Sequence, residues 1–148
     1  DWLRRDGTLT AILHGAPGTG KTHLGYALCR VFAHAGQNAL LQSAQKVLAE
    51  IRATWDPASR ERQEQVITRF ATLDLLVIDE PDKVHWSENT RQLFFAILDR
   101  RYAQALPTVV LTNATTVTLS GLTQTPIWRR LREHLLVLDC GEHSYRAQ

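Results

Sequence analysis

The sequence predicts an α/β protein, a parallel sheet flanked by helices, and three observations carry that reading. Five short apolar runs alternate with stretches of helical period along the whole chain. One of them, Leu75-Leu76-Val77-Ile78, is apolar at consecutive positions, as in a strand covered on both faces. A glycine-rich octapeptide follows the first run directly and opens the first helical stretch. The 148 residues are 44% hydrophobic and 22% charged, enough for one globular domain over 1–148, and this composition excludes a disordered or fibrous chain.

In chain order, the predicted strands are Thr8 to His14, Ala39 to Gln42, Leu73 to Asp79, Thr108 to Thr112 and Leu135 to Asp139. Thr22 to Ala35 reads as a helix closed by Gly36. Val47, Leu48, Ile51 and Trp55 recur at helical spacing after Ser43, a candidate N-cap. Asp56-Pro57 reads as the cap and first turn of a further helix carrying Val66, Ile67 and Phe70. From Ser87 to Gln104 a longer helix offers Leu93, Phe94, Ile97, Leu98 and Tyr102 to the core, with Arg100 and Arg101 complementing its C-terminal dipole and Pro107 ending it.

The longest apolar run, Leu93 to Leu98, falls well short of the roughly 20 residues of a spanning helix, so no membrane segment is expected. Asp1 is not a start residue and no leader follows it, which suggests a piece of a longer chain whose upstream segment is absent. Cys29 and Cys140 lack Cys-x-x-Cys spacing and fit free thiols in a reducing cytoplasm. The formal charge of +2 sets up no strong global field toward nucleic acid, so any DNA contact is local.

Gly15-Ala16-Pro17-Gly18-Thr19-Gly20-Lys21-Thr22 fits G-x-x-x-x-G-K-[ST] in full, between a predicted strand and a predicted helix that continues through His23. Glycines at these spacings let successive backbone N–H groups converge on phosphate oxygens, and the helix start adds its positive end. The pattern predicts that Lys21 reaches the β- and γ-phosphates of ATP and that Thr22 ligates Mg²⁺. Leu75 to Ile78 then run into Asp79-Glu80, a Walker B pattern at the sheet edge where the phosphate loop also emerges. Asp79 is expected to hold Mg²⁺, mostly through water, and Glu80 to polarise the attacking water. Asn113 ends the fourth strand at the same edge, where an amide can donate to that water or to the γ-phosphate.

A phosphate loop, an Asp-Glu strand end and a polar residue ending the next strand together resemble the AAA+ ATPases. The resemblance implies a P-loop three-layer sandwich with strand order 5-1-4-3-2. Leu75 to Glu80, Ile97 to Tyr102, Pro107 to Asn113 and Ser144-Tyr145-Arg146 are similar, more narrowly, to the DnaC-type replicative helicase loaders and the related IstB transposition ATPases. That likeness implies an ATP-driven loader that assembles on single-stranded DNA and places a DnaB-type ring helicase there. The alternatives are an IstB-type transposition helper, or a nucleotide-gated DNA-binding scaffold with little turnover.

The likeness further implies self-association through an arginine finger, best matched by Arg130, with Arg129 and Arg132 also candidates. Arg146 matches a late arginine that contacts phosphate in cis, and the chain ends soon after it, so no separate helical lid is expected. Loader helices between the second and third strands imply a weak single-stranded DNA contact at Arg52, Arg60, Arg62 and Arg69 beside Trp55. With Lys46 added, these bases exceed Glu50, Asp56, Glu61 and Glu64 by only +1 over residues 43–72, which leaves a solvated face as the other reading.

Overall fold

Alternation along the strands sorts the side chains into two cores. The computed structural model describes residues 10–113 and 134–144. Within them β1 (Thr10–His14), β2 (Ala39–Ser43), β3 (Leu75–Asp79), β4 (Thr108–Thr112) and β5 (Leu135–Asp139) form one sheet of order β2-β3-β4-β1-β5. Read from the β5 edge this is the expected 5-1-4-3-2, and every pairing is parallel. Thr8 and Leu9, expected to begin β1, lie outside the described residues.

Successive residues of a strand point to opposite faces. Ile12, Leu76, Ile78 and Val110 accordingly pack with α2 (Ala44–Ala53), α3 (Gln63–Ala71) and α4 (Glu88–Ala103), while Ala11, Leu13, Leu75, Val77, Val109 and Leu111 pack with α1 (Lys21–His34). Leu75 to Ile78 are buried on both faces, as their uninterrupted apolarity predicts. α1 lies so close to the sheet at Gly25 that a Cβ there would stand 2.6 Å from Leu41 Cδ1 and 2.9 Å from Leu111 Cδ1.

Ser43 caps its helix as expected, and Ser87, expected as the first residue of its helix, stands one place ahead as the cap. Ser43 Oγ accepts from Lys46 N at 3.3 Å ahead of α2, and Ser87 Oγ accepts from Thr90 N at 3.2 Å ahead of α4. Three readings need correction, the first being Trp55, which lies beyond the end of α2 at Ala53 and is 50% exposed. Asp56-Pro57 does not open α3: Asp56 Oδ1 accepts from Ala58 N at 2.8 Å in a turn, and α3 begins only at Gln63, where Gln65 Oε1 caps Arg62 N at 2.7 Å. Asp-Pro initiates turns as readily as helices, and the missing apolar period between 56 and 62 was the signal to choose the turn.

Arg101 is not a dipole-facing surface residue. It is 1% exposed, and its guanidinium donates to Thr108 Oγ1 at 2.9 Å and to the carbonyls of Phe70, Leu73 and Pro107 at 3.0, 2.7 and 2.6 Å. It joins the end of α3 to the starts of β3 and β4, and burial brings its pKa down to about 10 against the pull of Asp74.

Candidate functional site

β1, β3 and β4 release their chains at one edge of the sheet, with Asp79 beside Leu111 and His14 beside Thr112 in register. A cleft of about 800 Å³ opens there. Its lining joins the loop and first turn of α1 (Pro17, Gly18, Gly20, Lys21, Thr22, His23) to the ends of β3 and β4 (Asp79, Glu80, Thr112, Asn113). Every element that the sequence assigned to this edge therefore meets there, apart from the arginines. Arg129, Arg130, Arg132 and Arg146 lie outside the described residues.

The loop owes its shape to glycine at two points. Gly20 caps α1 at φ 87°, a left-handed value that glycine adopts without a Cβ clash. Gly15 passes so close to the chain after β5 that a Cβ would stand 2.8 Å from Gly141 O, and Ala16 N donates to that same oxygen at 3.0 Å. The first helical bond of α1 runs from Leu24 N to Gly20 O at 3.0 Å, so the N–H groups ahead of it have no carbonyl within the helix and are oriented for an anion. Gly15, Ala16 and Thr19 shape the loop rather than line the cleft: Thr19 Oγ1 donates to Ala16 O at 3.0 Å.

Lys21 is 7% exposed, and its Nζ donates to Gly15 O and Ala16 O, both at 2.8 Å, and to Thr19 Oγ1 at 3.2 Å. These bonds hold the ammonium inside the loop. Across the cleft Thr22 Oγ1 donates to Asp79 Oδ2 at 2.9 Å. Burial pushes the Asp79 carboxyl above the usual range, the Thr22 bond pulls it back, and the adjacent Glu80 charge raises it again.

This pair fits a hard divalent cation. Hydroxyl and carboxylate oxygens are the donors Mg²⁺ prefers, and a cation would offset the burial of Asp79. Among the described residues no group of three or more His, Cys, Asp and Glu converges, so a cation here would draw its other oxygens from phosphate and water.

Glu80 has φ 54° and ψ 48°, left-handed values that are costly for a residue with a Cβ, and its N–H donates to Leu111 O at 3.0 Å. Such backbone strain concentrates at functional positions. After Glu80 the chain makes a 3₁₀ turn, Pro81–Lys83. Two residues of this turn escaped the sequence reading. Asp82 Oδ1 accepts from Thr112 Oγ1 at 2.8 Å and from Asn113 N at 3.4 Å, tying the turn to the end of β4. Lys83 lines the cleft and pairs with Glu80, and that hydrogen bond holds the ammonium above its usual pKa. The available signal was an Asp-Lys pair one proline beyond the Walker B carboxylates in a chain with only three lysines.

The basic segment between β2 and β3 is partly used up within the fold. Arg69 pairs with both Glu50 and Glu61, and Arg52 donates to Thr90 Oγ1 at 3.3 Å. Arg60 and Arg62 are exposed near Trp55, whose ring is half exposed while its Nε1 donates to Gln63 Oε1 at 2.7 Å.

A family model described as IstB-like ATP binding protein matches residues 1–148. The chain is 30% identical over 128 residues to the replicative helicase loader DnaC of Escherichia coli K12, covering 86% of this chain and 52% of that protein. It is 30% identical over 143 residues to the insertion sequence IS21 putative ATP-binding protein of Pseudomonas aeruginosa, covering 93% of this chain and 52% of that one. It thus spans about half the length of these curated relatives. The fold is shared with the replication initiator DnaA bound to AMPPCP and single-stranded DNA, at TM-score 0.78 and 21% identity over 93% of this chain and 42% of that one. It is shared also with a crystal structure of the DnaC helicase loader, at TM-score 0.76 and 17% identity over 93% of this chain and 83% of that one.

Proposed function

The chain belongs to the IstB-like ATP-binding family, and from that premise we propose that it is the ATP-hydrolysing AAA+ core of a DnaC-like, cytoplasmic helicase loader. The observation that carries the reading is the convergence of Lys21, the Thr22–Asp79 pair, Glu80 and Asn113 on one cleft. Residues 1–148 form the ATPase domain in this proposal.

Each group has a task that its position supports. The loop N–H groups and Lys21 bind the β- and γ-phosphates, with Pro17 and His23 bordering them. Thr22 and Asp79 would hold Mg²⁺, which when bound shares its charge between the phosphate oxygens. Glu80 orients the attacking water and takes up its proton. Asn113 donates to that water or to the γ-phosphate, and its strand end is tied to the Glu80 turn because Asp82 bonds both Thr112 and Asn113. Arg130 of one subunit would complete the site of the next, while Arg146 would reach phosphate in cis.

The test separates binding from chemistry. Lys21→Ala should abolish ATP binding, whereas Glu80→Gln should keep it and lose turnover by about 100-fold or more. Equal loss of binding in both variants would refute the division of roles. For the finger, inactive Arg130→Ala and inactive Lys21→Ala subunits are mixed: partial recovery supports action in trans, and no recovery despite demonstrated co-assembly sinks it.

Single-stranded DNA is the proposed track, held weakly by the exposed Trp55, Arg60 and Arg62, since Arg52 and Arg69, though exposed too, are engaged by Thr90, Glu50 and Glu61. Joint replacement of Arg60 and Arg62 by Ala should weaken single-strand binding at low salt, and unchanged affinity would remove the site. Transposition help is the second reading, favoured by the likeness to the IS21 protein. Loading of a ring helicase onto single-stranded DNA, against capture of a transposase, distinguishes the two.

A further inference from the structure

Among the described residues two lysines line the cleft, and only Lys21 belongs to the phosphate-loop motif. The other, Lys83, stands at the end of the 3₁₀ turn that follows Glu80. Its backbone is held on several sides: Lys83 O accepts from Gln45 Nε2 at 3.1 Å, Pro81 O accepts from Trp86 Nε1 at 3.0 Å, and Asp82 bonds the end of β4. The side chain is different. It is 51% exposed, and its ammonium is held by the Glu80 carboxylate. A fixed turn therefore presents a flexible four-carbon stem whose charged head already lies at the group assigned to the attacking water.

We propose that Lys83 is a second phosphate-binding cation, which pairs with Glu80 when the bound nucleotide ends at its β-phosphate and moves to a γ-phosphate oxygen when a triphosphate is bound. The inference rests on the ATP reading of the cleft. A carboxylate that orients the attacking water is separated from the γ-phosphate by that one water, so an ammonium bonded to the carboxylate needs only a small swing to reach a γ-oxygen. A terminal phosphoryl group carries its charge spread over its outer oxygens, and a compact ammonium suits them. A diphosphate ends one group short, leaving Lys83 on Glu80. The cleft would thereby distinguish ATP from ADP, and only the triphosphate would release Glu80 for its water.

The test compares the intact protein with Lys83→Met, which keeps the length of the stem and removes the charge, and with Lys83→Arg. Affinities for AMPPCP and ADP are measured together with single-turnover ATP hydrolysis and the midpoint of thermal unfolding. Lys83→Met should weaken AMPPCP about tenfold and ADP by less than about twofold, and slow hydrolysis, with the unfolding midpoint unchanged. Lys83→Arg should keep most of the preference for AMPPCP. An equal change for both nucleotides, no change for either, or faster hydrolysis at unaltered AMPPCP affinity would overturn the proposal, the last by making Lys83 only a restraint on Glu80. If the unsubstituted protein binds neither nucleotide, the ATP reading fails first and this inference falls with it.

Discussion

β3 and β5 are built from almost the same five residues, Leu75-Leu76-Val77-Ile78-Asp79 and Leu135-Leu136-Val137-Leu138-Asp139, and both run parallel to their neighbours toward the same sheet edge. Their circumstances differ throughout. β3 lies between β2 and β4, with its four apolar residues at most 1% exposed. β5 pairs with β1 alone among the described strands, and Val137 and Leu138 are 42% and 37% exposed. The terminal aspartates diverge in the same way. Asp79 faces the Thr22 hydroxyl across the cleft, whereas Asp139 turns back on its own chain, accepting from Gly141 N at 2.8 Å, with His14 Nδ1 at 3.9 Å. A strand is encoded locally in both cases. Burial and chemistry come from what the rest of the chain brings alongside.

The widest gap between the two strands should appear in turnover. Asp79→Asn should reduce ATP hydrolysis by about 100-fold or more, and Asp139→Asn by less than about twofold. Similar losses in steady-state assays of the two variants would mean that the aspartates are not functionally distinct.

Stability should separate the strands next. Val77→Ala removes two methyl groups from a site with no exposure and should cost about 2 kcal/mol in denaturant unfolding, against under about 0.5 kcal/mol for Val137→Ala. Equal costs would show that β5 is as well packed as β3. The smallest effect sharpens the comparison most. Ile78→Leu makes the two pentapeptides identical, and because it conserves volume it should cost less than about 1.5 kcal/mol and leave hydrolysis within about twofold. A collapse of activity would assign to Ile78 what the surroundings of β3 are held to supply.

The parts of the molecule that were legible in advance are those encoded by local pattern. Apolar runs marked all five strands, and Ser43 and Ser87 marked the starts of α2 and α4. The phosphate loop and the Asp79-Glu80 strand end were readable because backbone geometry around phosphate demands particular residues at fixed spacing. What stayed hidden depends on partners far along the chain. Arg101 read as an exposed helix end, since nothing beside it reveals the carbonyls of Phe70, Leu73 and Pro107. Asp82 and Lys83 went unread, because their significance comes from Thr112, Asn113 and the orientation of Glu80. Arg52 and Arg69 counted toward a basic surface until Thr90, Glu50 and Glu61 were found to engage them.

The near-contact at Gly25 bears on how this frame can move. With Leu41, Val77 and Leu111 all within 3.2 Å of where a Cβ would sit, α1 is keyed to three strands at once, like a shaft seated in its slot. Sliding or turning the helix by a fraction of a residue pitch would drive backbone into leucine methyls, and close-packed interiors do not deform continuously. The phosphate loop is attached to the front of that shaft, so it keeps a constant bearing on Asp79 and Asn113. Any motion tied to a bound nucleotide would thereby be left to parts outside the keyed frame, such as side chains with free stems.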